Sequence, residues 1–119
     1  MATHNILGTE GERKAVNFLK TKDYRILATN WRKGRYELDI VAEYNGELII
    51  VEVKTRSEHS LTLPEEAVDR KKIRHIVAAA NRYVKTSNLD LPVRFDIIAI
   101  TGNSIEHLEE AFYPPISHY

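Results

Sequence analysis

The sequence predicts a mixed α/β domain with the element order αβββαββ and a central sheet of about five strands. Asn45-Gly46 lies between two apolar, β-branched runs, which is the strongest short-range signal for a β-hairpin. One segment with the apolar periodicity of a helix precedes this hairpin, and a second such segment follows it. An apolar run long enough for a strand follows the second helical segment. Helices that alternate with strands around one early hairpin favour a mixed sheet flanked by helices.

The first helix is predicted from about Leu7 to Lys22, with Ala15, Val16, Phe18 and Leu19 as its apolar stripe. The first strand follows from Tyr24 to Trp31, and a basic turn follows over Arg32–Arg35.

Glu12 precedes Ala15, Val16 and Leu19 by three, four and seven positions, so it is predicted on the buried edge of that stripe. A carboxylate aimed at the sheet needs a partner, such as a ligand backbone or a metal-bound water. The alternative is an acidic residue that is favoured near a helix start by the macrodipole.

The hairpin determines which charged residues face each other. A two-residue loop at Asn45-Gly46 sets Asp39 opposite Glu52 and Glu37 opposite Lys54, and alternation places all four on one face. Like charges directly opposed on neighbouring strands are destabilising. A divalent cation between Asp39 and Glu52 would remove that repulsion.

This arrangement predicts a metal centre. Asp39, Glu52 and the backbone carbonyl of Val53 can hold Mg²⁺ or Mn²⁺, with Lys54 beside them. Such a centre is suited to phosphodiester hydrolysis. The alternative is a solvated strand face with an ordinary Glu37–Lys54 ion pair. The nearly continuous apolar run 48–53 argues against it, because such runs are typical of covered strands.

The second half of the chain predicts a loop over Ser57–Leu63 and a helix that Pro64 opens and that reaches about Thr86. Val93–Thr101 is predicted as a strand buried on both faces, and Ser104–Phe112 as a short edge strand. The predicted stripe of the second helix comprises Val68, Ile73, Ile76, Val77, Ala80, Tyr83 and Val84, and Lys72 flanks it.

Composition narrows the class of protein. The 119 residues are 43% hydrophobic and 29% charged, as expected for a single domain over residues 1–119. There is no cysteine, and the histidines show no zinc spacing. The sequence lacks an apolar signal segment, a run long enough to span a membrane and a phosphate-cradling glycine loop. We therefore expect a cytoplasmic protein with no membrane partner and no nucleotide cofactor.

The charge is segregated although the formal net charge is zero. Residues 13–35 contain eight basic residues and one acid, 36–69 contain nine acids and two bases, and 70–85 contain six bases and no acid. An acidic centre between basic segments suits a cation site with a phosphate-binding rim; the alternative is solvated helix faces. The candidate phosphate contacts are Arg32, Lys33, Arg35, Arg56, Arg70, Lys71, Lys72 and Arg74.

An ordered series of motifs resembles a known family. The series is Asn30-Trp31-Arg32, Glu37-Leu38-Asp39, Glu52-Val53-Lys54-Thr55-Arg56, Lys72 and Arg94-Phe95-Asp96. It resembles the YraN-like family of uncharacterised bacterial proteins in the PD-(D/E)xK nuclease superfamily, which is grouped with Holliday-junction resolvases. The resemblance implies a restriction-endonuclease-like three-layer core, Mg²⁺ dependence and DNA as substrate.

Carried over by resemblance, Asp39 and Glu52 would be metal ligands and Lys54 the catalytic lysine. Glu12 would be the helix-borne acid of the resolvase-like branch, and Glu37 a further acid of the family. Leu38 stands where the superfamily has proline and Tyr36 where the family usually has glycine, so Tyr36 could crowd the site.

Related resolvases are dimers, so a homodimer is compatible with this interpretation. The competing functions are a nucleic-acid-binding module that does not cut and an interaction subunit of a DNA-processing assembly.

Overall fold

The fold was analysed in a computed structural model that describes residues 4–59, 63 and 68–115, with side chains from residue 10 onward. The element order αβββαββ is confirmed. The elements are α1 (His4–Thr21), β1 (Arg25–Lys33), β2 (Tyr36–Tyr44), β3 (Glu47–Arg56), α2 (Arg70–Ser87), β4 (Val93–Thr101) and β5 (Ser104–Phe112). No helix in these described ranges has both the length and the apolar character needed to cross a membrane.

The five strands form one mixed sheet in the order β1-β2-β3-β4-β5. Neighbouring strands are antiparallel except β3 and β4, which are parallel and are connected through α2. A parallel pair needs such a crossover, whereas two-residue turns suffice for the antiparallel pairs. β5 lies at an edge of the sheet, as predicted.

The two helices cover opposite faces of the sheet. Ala15 and Leu19 of α1 pack with Ile40, Ile49 and Val51 on one face. On the other face, the buried residues of α2 pack on the alternate strand positions, such as Val41, Ile50 and Ile97. The result is a helix–sheet–helix sandwich, consistent with the restriction-endonuclease-like core that was expected.

The central hairpin has the predicted turn and, for most of its length, the predicted register. Asn45 and Gly46 both have positive φ, 51° and 78°, as a type I′ turn requires. Pairs run from Tyr44–Glu47 to Ile40–Val51, where the ladder ends. The predicted strand pairs Asp39–Glu52 and Glu37–Lys54 both lie beyond it and are not formed as ladder pairs. The side chains of Asp39 and Glu52 nevertheless remain neighbours, whereas Glu37 Oε2 lies 3.3 Å from Arg32 Nε on β1.

Two predicted boundaries were also wrong. β1 extends to Lys33, so the turn before β2 is Gly34-Arg35 rather than a basic loop from Arg32. α2 begins at Arg70, because the carboxylate of Asp69 accepts the backbone N–H of Lys72 and caps the helix there. Val68 is buried but precedes the helix, and the predicted start at Pro64 lies outside the described residues.

Gly11 sets how closely α1 approaches the sheet. A Cβ atom at this position would lie 2.7 Å from Thr55 Oγ1 and 3.9 Å from Val53 Cγ1. Because no side chain separates the helix from β3 here, the next residue, Glu12, is carried against the sheet and is only 9% exposed. This close approach places the one buried carboxylate of the described part of α1.

Candidate metal centre

Asp39 marks the point where β2 separates from β3. One residue past the last ladder pair, Ile40–Val51, Asp39 Oδ2 accepts the backbone N–H of Val53 at 2.9 Å. The side chain thus replaces the backbone acceptor that a continued ladder would have supplied. The carboxyl group is held at the fork between two strands, next to Glu52.

Glu52 lies at the same fork, from the side of the sheet that α2 covers. Its carboxyl group is within hydrogen-bonding reach of Asp39, and its Oε1 lies 3.2 Å from Lys72 Nζ. The Glu52 side chain is 13% exposed, whereas that of Lys72 is 47% exposed. Burial and the charge of Asp39 raise the pKa of Glu52 to about 7, although the Lys72 ammonium opposes that rise.

The pKa values of Asp39 and Lys72 are raised together with that of Glu52. Burial raises the pKa of Asp39, although the hydrogen bond from Val53 and the charge of Lys72 act against it. The pKa of Lys72 is raised in turn, chiefly by the charge of Glu52. Keeping both carboxyl groups ionised at this buried fork is therefore unfavourable in free energy, and a bound cation would stabilise the ionised forms.

Glu12 reaches the same region from α1. Burial raises its pKa, and the charge of Asp39 adds to the rise, while a hydrogen bond with the Asn30 side chain lowers it. Its Oε2 is buried and has no hydrogen-bond partner among the described residues. The orphaned oxygen marks Glu12 as an acceptor that the described chain itself does not satisfy.

The donor set at the fork fits a hard divalent cation. Asp39 and Glu52 supply oxygen ligands, and Mg²⁺ typically takes one or two carboxylates and retains several waters. Within the described ranges, no group of three or more acidic or histidine side chains is close enough to share an ion. Glu12 therefore does not complete a three-carboxylate cage with the other two. Val53 contributes its N–H to Asp39, and its carbonyl remains the predicted backbone ligand.

The other two predicted catalytic residues are less engaged. Lys54 follows Val53 on β3 and is half-buried, and its side-chain amine makes no hydrogen bond or ion pair with the residues that the structure describes. By strand alternation it shares a face with Glu52. Glu37 is exposed and paired with Arg32, so it lies at the rim of the site.

Part of the predicted basic rim converges on one cavity of about 680 Å³ beside α2. Its described lining includes Arg35 from the β1–β2 turn together with Lys71, Lys72 and Arg74 from the first turns of α2. Arg32, Lys33, Arg56 and Arg70 are not among these lining residues. Lys72 joins the cavity to the carboxylates, because its amine contacts Glu52.

Comparison with known proteins decides the family. The pattern of the uncharacterised protein family UPF0102 matches residues 11–100. A UPF0102 protein of Bacteroides fragilis is 57% identical over 98% of this chain and 99% of its own length. UPF0102 proteins of Parabacteroides distasonis and Porphyromonas gingivalis are 56% and 49% identical, over 97% and 94% of this chain and 98% and 87% of their own lengths. The chain belongs to UPF0102.

The YraN-like resemblance is thereby confirmed. The matched span of UPF0102 contains Glu12, Asp39, Glu52, Lys54 and Lys72, so the whole fork lies within the family region. The names of these relatives assign no activity.

For three residues of the UPF0102 site, the sequence predicted either no role or a role other than the one seen in the structure. Asn30 supports Glu12 and has a left-handed backbone, φ 49°, which asparagine tolerates better than most residues. Lys72 was predicted as a phosphate contact, not as the partner of Glu52, because residues 20 positions apart carry no pairing signal. Tyr36, the departure from the usual glycine, lines the cavity beside His75.

A second charged cluster, centred on Asp96, supports the fold. Asp96 is fully buried; it accepts from Arg94 Nε at 2.9 Å, Arg94 Nη2 at 2.8 Å and the Glu110 N–H at 3.1 Å, and contacts His107 Nε2 at 2.7 Å. Arg94 also donates to Tyr24 Oη at 2.6 Å. These bonds hold the irregularity where β5 pairs with β4.

Proposed function

We propose that this UPF0102 protein is a metal-dependent DNA endonuclease that hydrolyses phosphodiester bonds. The observation that supports it best is the fork at the end of the β2–β3 ladder, where Asp39 and Glu52 stand side by side, largely buried and with raised pKa values. As a purely structural arrangement two neighbouring buried carboxyl groups are unfavourable, and strongly perturbed pKa values cluster at functional sites.

Asp39 and Glu52 would hold Mg²⁺ or Mn²⁺, with the Val53 carbonyl as a further ligand. When bound, the ion would polarise the phosphoryl group and make a water more acidic. Val53 N–H fixes one oxygen of Asp39, and a bound ion would take the place of the present contact between the Asp39 and Glu52 carboxyl groups. Lys54, whose amine is uncommitted within the described structure, would stabilise negative charge that develops on the phosphate.

Lys72 and Glu12 would support the site from its two sides. Lys72 neutralises Glu52 in the resting protein and could exchange that carboxylate for a phosphate oxygen, because nearly half of its side chain is exposed. Glu12, with its orphaned oxygen, would accept a hydrogen bond or a proton from a bound water.

DNA would approach over the basic rim. Arg35, Lys71 and Arg74 line the cavity that Lys72 joins to the carboxylates, so phosphates held there would lead towards the fork. A monomer would nick one strand, whereas a homodimer could cut both.

One observation favours a second candidate, a DNA-binding module that does not cut. The Lys72–Glu52 ion pair, which raises the pKa of Lys72, already compensates part of the buried charge. A protein that had lost catalysis could retain such a self-neutralised fork. The two candidates differ in whether the fork takes up a divalent ion.

The test is a cleavage assay with Mg²⁺ or Mn²⁺ on duplex, single-stranded, flapped and four-way DNA. Wild type should nick or cut at least one substrate. Glu52→Gln and Lys54→Ala should each lower the rate by roughly 10²-fold or more while DNA binding is retained. Calorimetry should detect divalent-ion binding by wild type and its loss in Asp39→Asn.

Matched variants control for nonspecific effects. Glu106→Gln changes an exposed acid on β5, and Lys85→Ala changes an exposed lysine at the end of α2. Both should cleave like wild type. If wild type takes up no ion and is as inert as Glu52→Gln on every substrate, the non-cutting module is the better account. If it also shows no salt-sensitive binding to any of these DNAs, a protein-interaction subunit becomes the better account.

A further inference from the structure

The cavity beside α2 combines aromatic rings with positive charge. Tyr36 from the start of β2 and His75 from α2 both line it, and their ring centroids lie 6.2 Å apart with planes inclined by 33°. Trp31 is not available in the same way, because its ring packs edge-on against Tyr83 in the core. Tyr36 therefore lines the cavity, whereas Trp31 does not.

Tyr36 is held in position before any ligand arrives. The guanidinium of Arg82 lies 5.6 Å from the centre of the Tyr36 ring, and the ring packs partly against the core under α2. A ring that is already ordered loses little conformational entropy when another flat group stacks on it. This favours a fixed stacking platform over a mobile surface residue.

The charges around the rings suit phosphate groups. Among the described lining residues, Arg35, Lys71, Lys72 and Arg74 are basic and Asp69 is acidic. Asp69 is committed to the backbone N–H of Lys72 as the helix cap. The net positive lining and a volume of about 680 Å³ are adequate for a nucleotide, since small-molecule sites span about 300–1,000 Å³.

We propose that this cavity receives an unpaired nucleotide of DNA, whose base stacks on Tyr36 and whose flanking phosphates contact Arg35, Lys71 and Arg74. A base inside a duplex has its faces covered by its neighbours, so this contact is open only to an unpaired base. Because Lys72 spans the cavity and Glu52, the unpaired nucleotide lies next to the proposed cleavage site. The inference rests on the proposed function for its substrate class, which becomes DNA with a single-stranded segment beside the scissile bond.

The experiment measures binding in chelator, so that catalysis does not enter. Fluorescent single-stranded oligonucleotides with bases are compared with abasic oligonucleotides of equal length and charge. Wild type should bind the base-containing strand about tenfold more tightly, since base–aromatic stacking is a large, sequence-tolerant term. Tyr36→Phe should keep this preference, and Tyr36→Leu should reduce it several-fold, while duplex binding changes little.

Two further comparisons separate stacking from charge and from general damage. Tyr113→Leu alters an exposed tyrosine outside the described cavity lining and should keep the preference. Lys71→Gln and Arg74→Gln should each lower the salt dependence of single-strand binding by about 0.7 in log–log slope, whereas Lys85→Gln should not.

Equal binding of abasic and base-containing strands by wild type would overturn the inference, as would an equal loss of single-strand and duplex binding in folded Tyr36→Leu. Failure of the nuclease proposal gives a different result: base-dependent binding through Tyr36 would persist while no DNA is cut with any divalent ion. Conversely, cleavage that depends on Glu52 without base-dependent binding would refute the stacking platform and leave the nuclease proposal standing.

Discussion

Glu52 should make the folded protein less stable as the pH rises. Its pKa is raised from an ordinary 4.5 to about 7 by burial and by the charge of Asp39. A carboxyl group with a raised pKa contributes stability that is fully present below pH 4.5 and is lost as the pH rises through 7. A tenfold change in proton affinity corresponds to about 1.4 kcal/mol, so this loss amounts to roughly 3 kcal/mol by pH 8.

The variant Glu52→Gln keeps the shape of the side chain and removes the ionisable group. The free energy of unfolding should rise by roughly 2–3 kcal/mol at pH 8, with little change near pH 4.5. The assay is urea denaturation followed by circular dichroism from pH 4.5 to 8, in chelator. Asp39 has a raised pKa as well, so a smaller slope should remain in the variant.

Glu106→Gln is the matched control, because Glu106 is exposed and lies on β5. Its stability should follow that of wild type across the pH range. Parallel curves of unfolding free energy against pH for wild type and Glu52→Gln would contradict this prediction. They would mean that burial and the charge of Asp39 do not raise the pKa of Glu52. Mg²⁺ added at pH 8 should stabilise wild type and not the variant if the fork binds the ion.

Three further predictions concern the supports of the fold and the site. Asp96→Asn should destabilise the protein in urea by about 3 kcal/mol, the lower end of the cost of breaking a buried ion pair, because Arg94 loses its fully buried partner and keeps only the longer ion pairs with Glu47 and Glu109. Although burial opposes it, the hydrogen bonds from His107, Arg94 and Glu110 hold the pKa of Asp96 below 3.8, so the stabilisation is present above pH 3.8 and should fade as the pH falls further. Gly11→Ala should cost about 1 kcal/mol, because the clash with Thr55 Oγ1, which costs about 1–3 kcal/mol, outweighs the roughly 1 kcal/mol that alanine gains over glycine inside a helix. Thr55→Ala in the same chain should recover that loss in thermal unfolding, and no recovery would contradict the close approach. Asn30→Ala should cost about 1 kcal/mol more than Asn30→Gly, because its backbone is left-handed, and equal stabilities by urea denaturation would argue against this strain.

Much of the fold could be predicted because its signals are local. Asn45-Gly46 predicts the turn, and once the turn is known the register follows as far as Ile40–Val51. The apolar run of β3 and the helical stripes likewise predict which residues are covered. What failed was the start of α2, because the Asp69 cap competes with the proline signal at position 64.

The residues of the fork can be deduced from the sequence alone. Asp39 and Glu52 lie at a fixed separation around one hairpin, and Lys54 lies two residues beyond Glu52. Strand alternation and turn geometry are short-range properties, so they can be deduced from spacing. The packing of the helices on the sheet sets which groups surround those acids. Beyond the end of the ladder Asp39 accepts the Val53 N–H, Lys72 reaches Glu52 from α2, and Glu12 lies where Gly11 lets α1 approach the sheet. These contacts depend on how the helices pack across the sheet, and no local pattern in the chain records that packing.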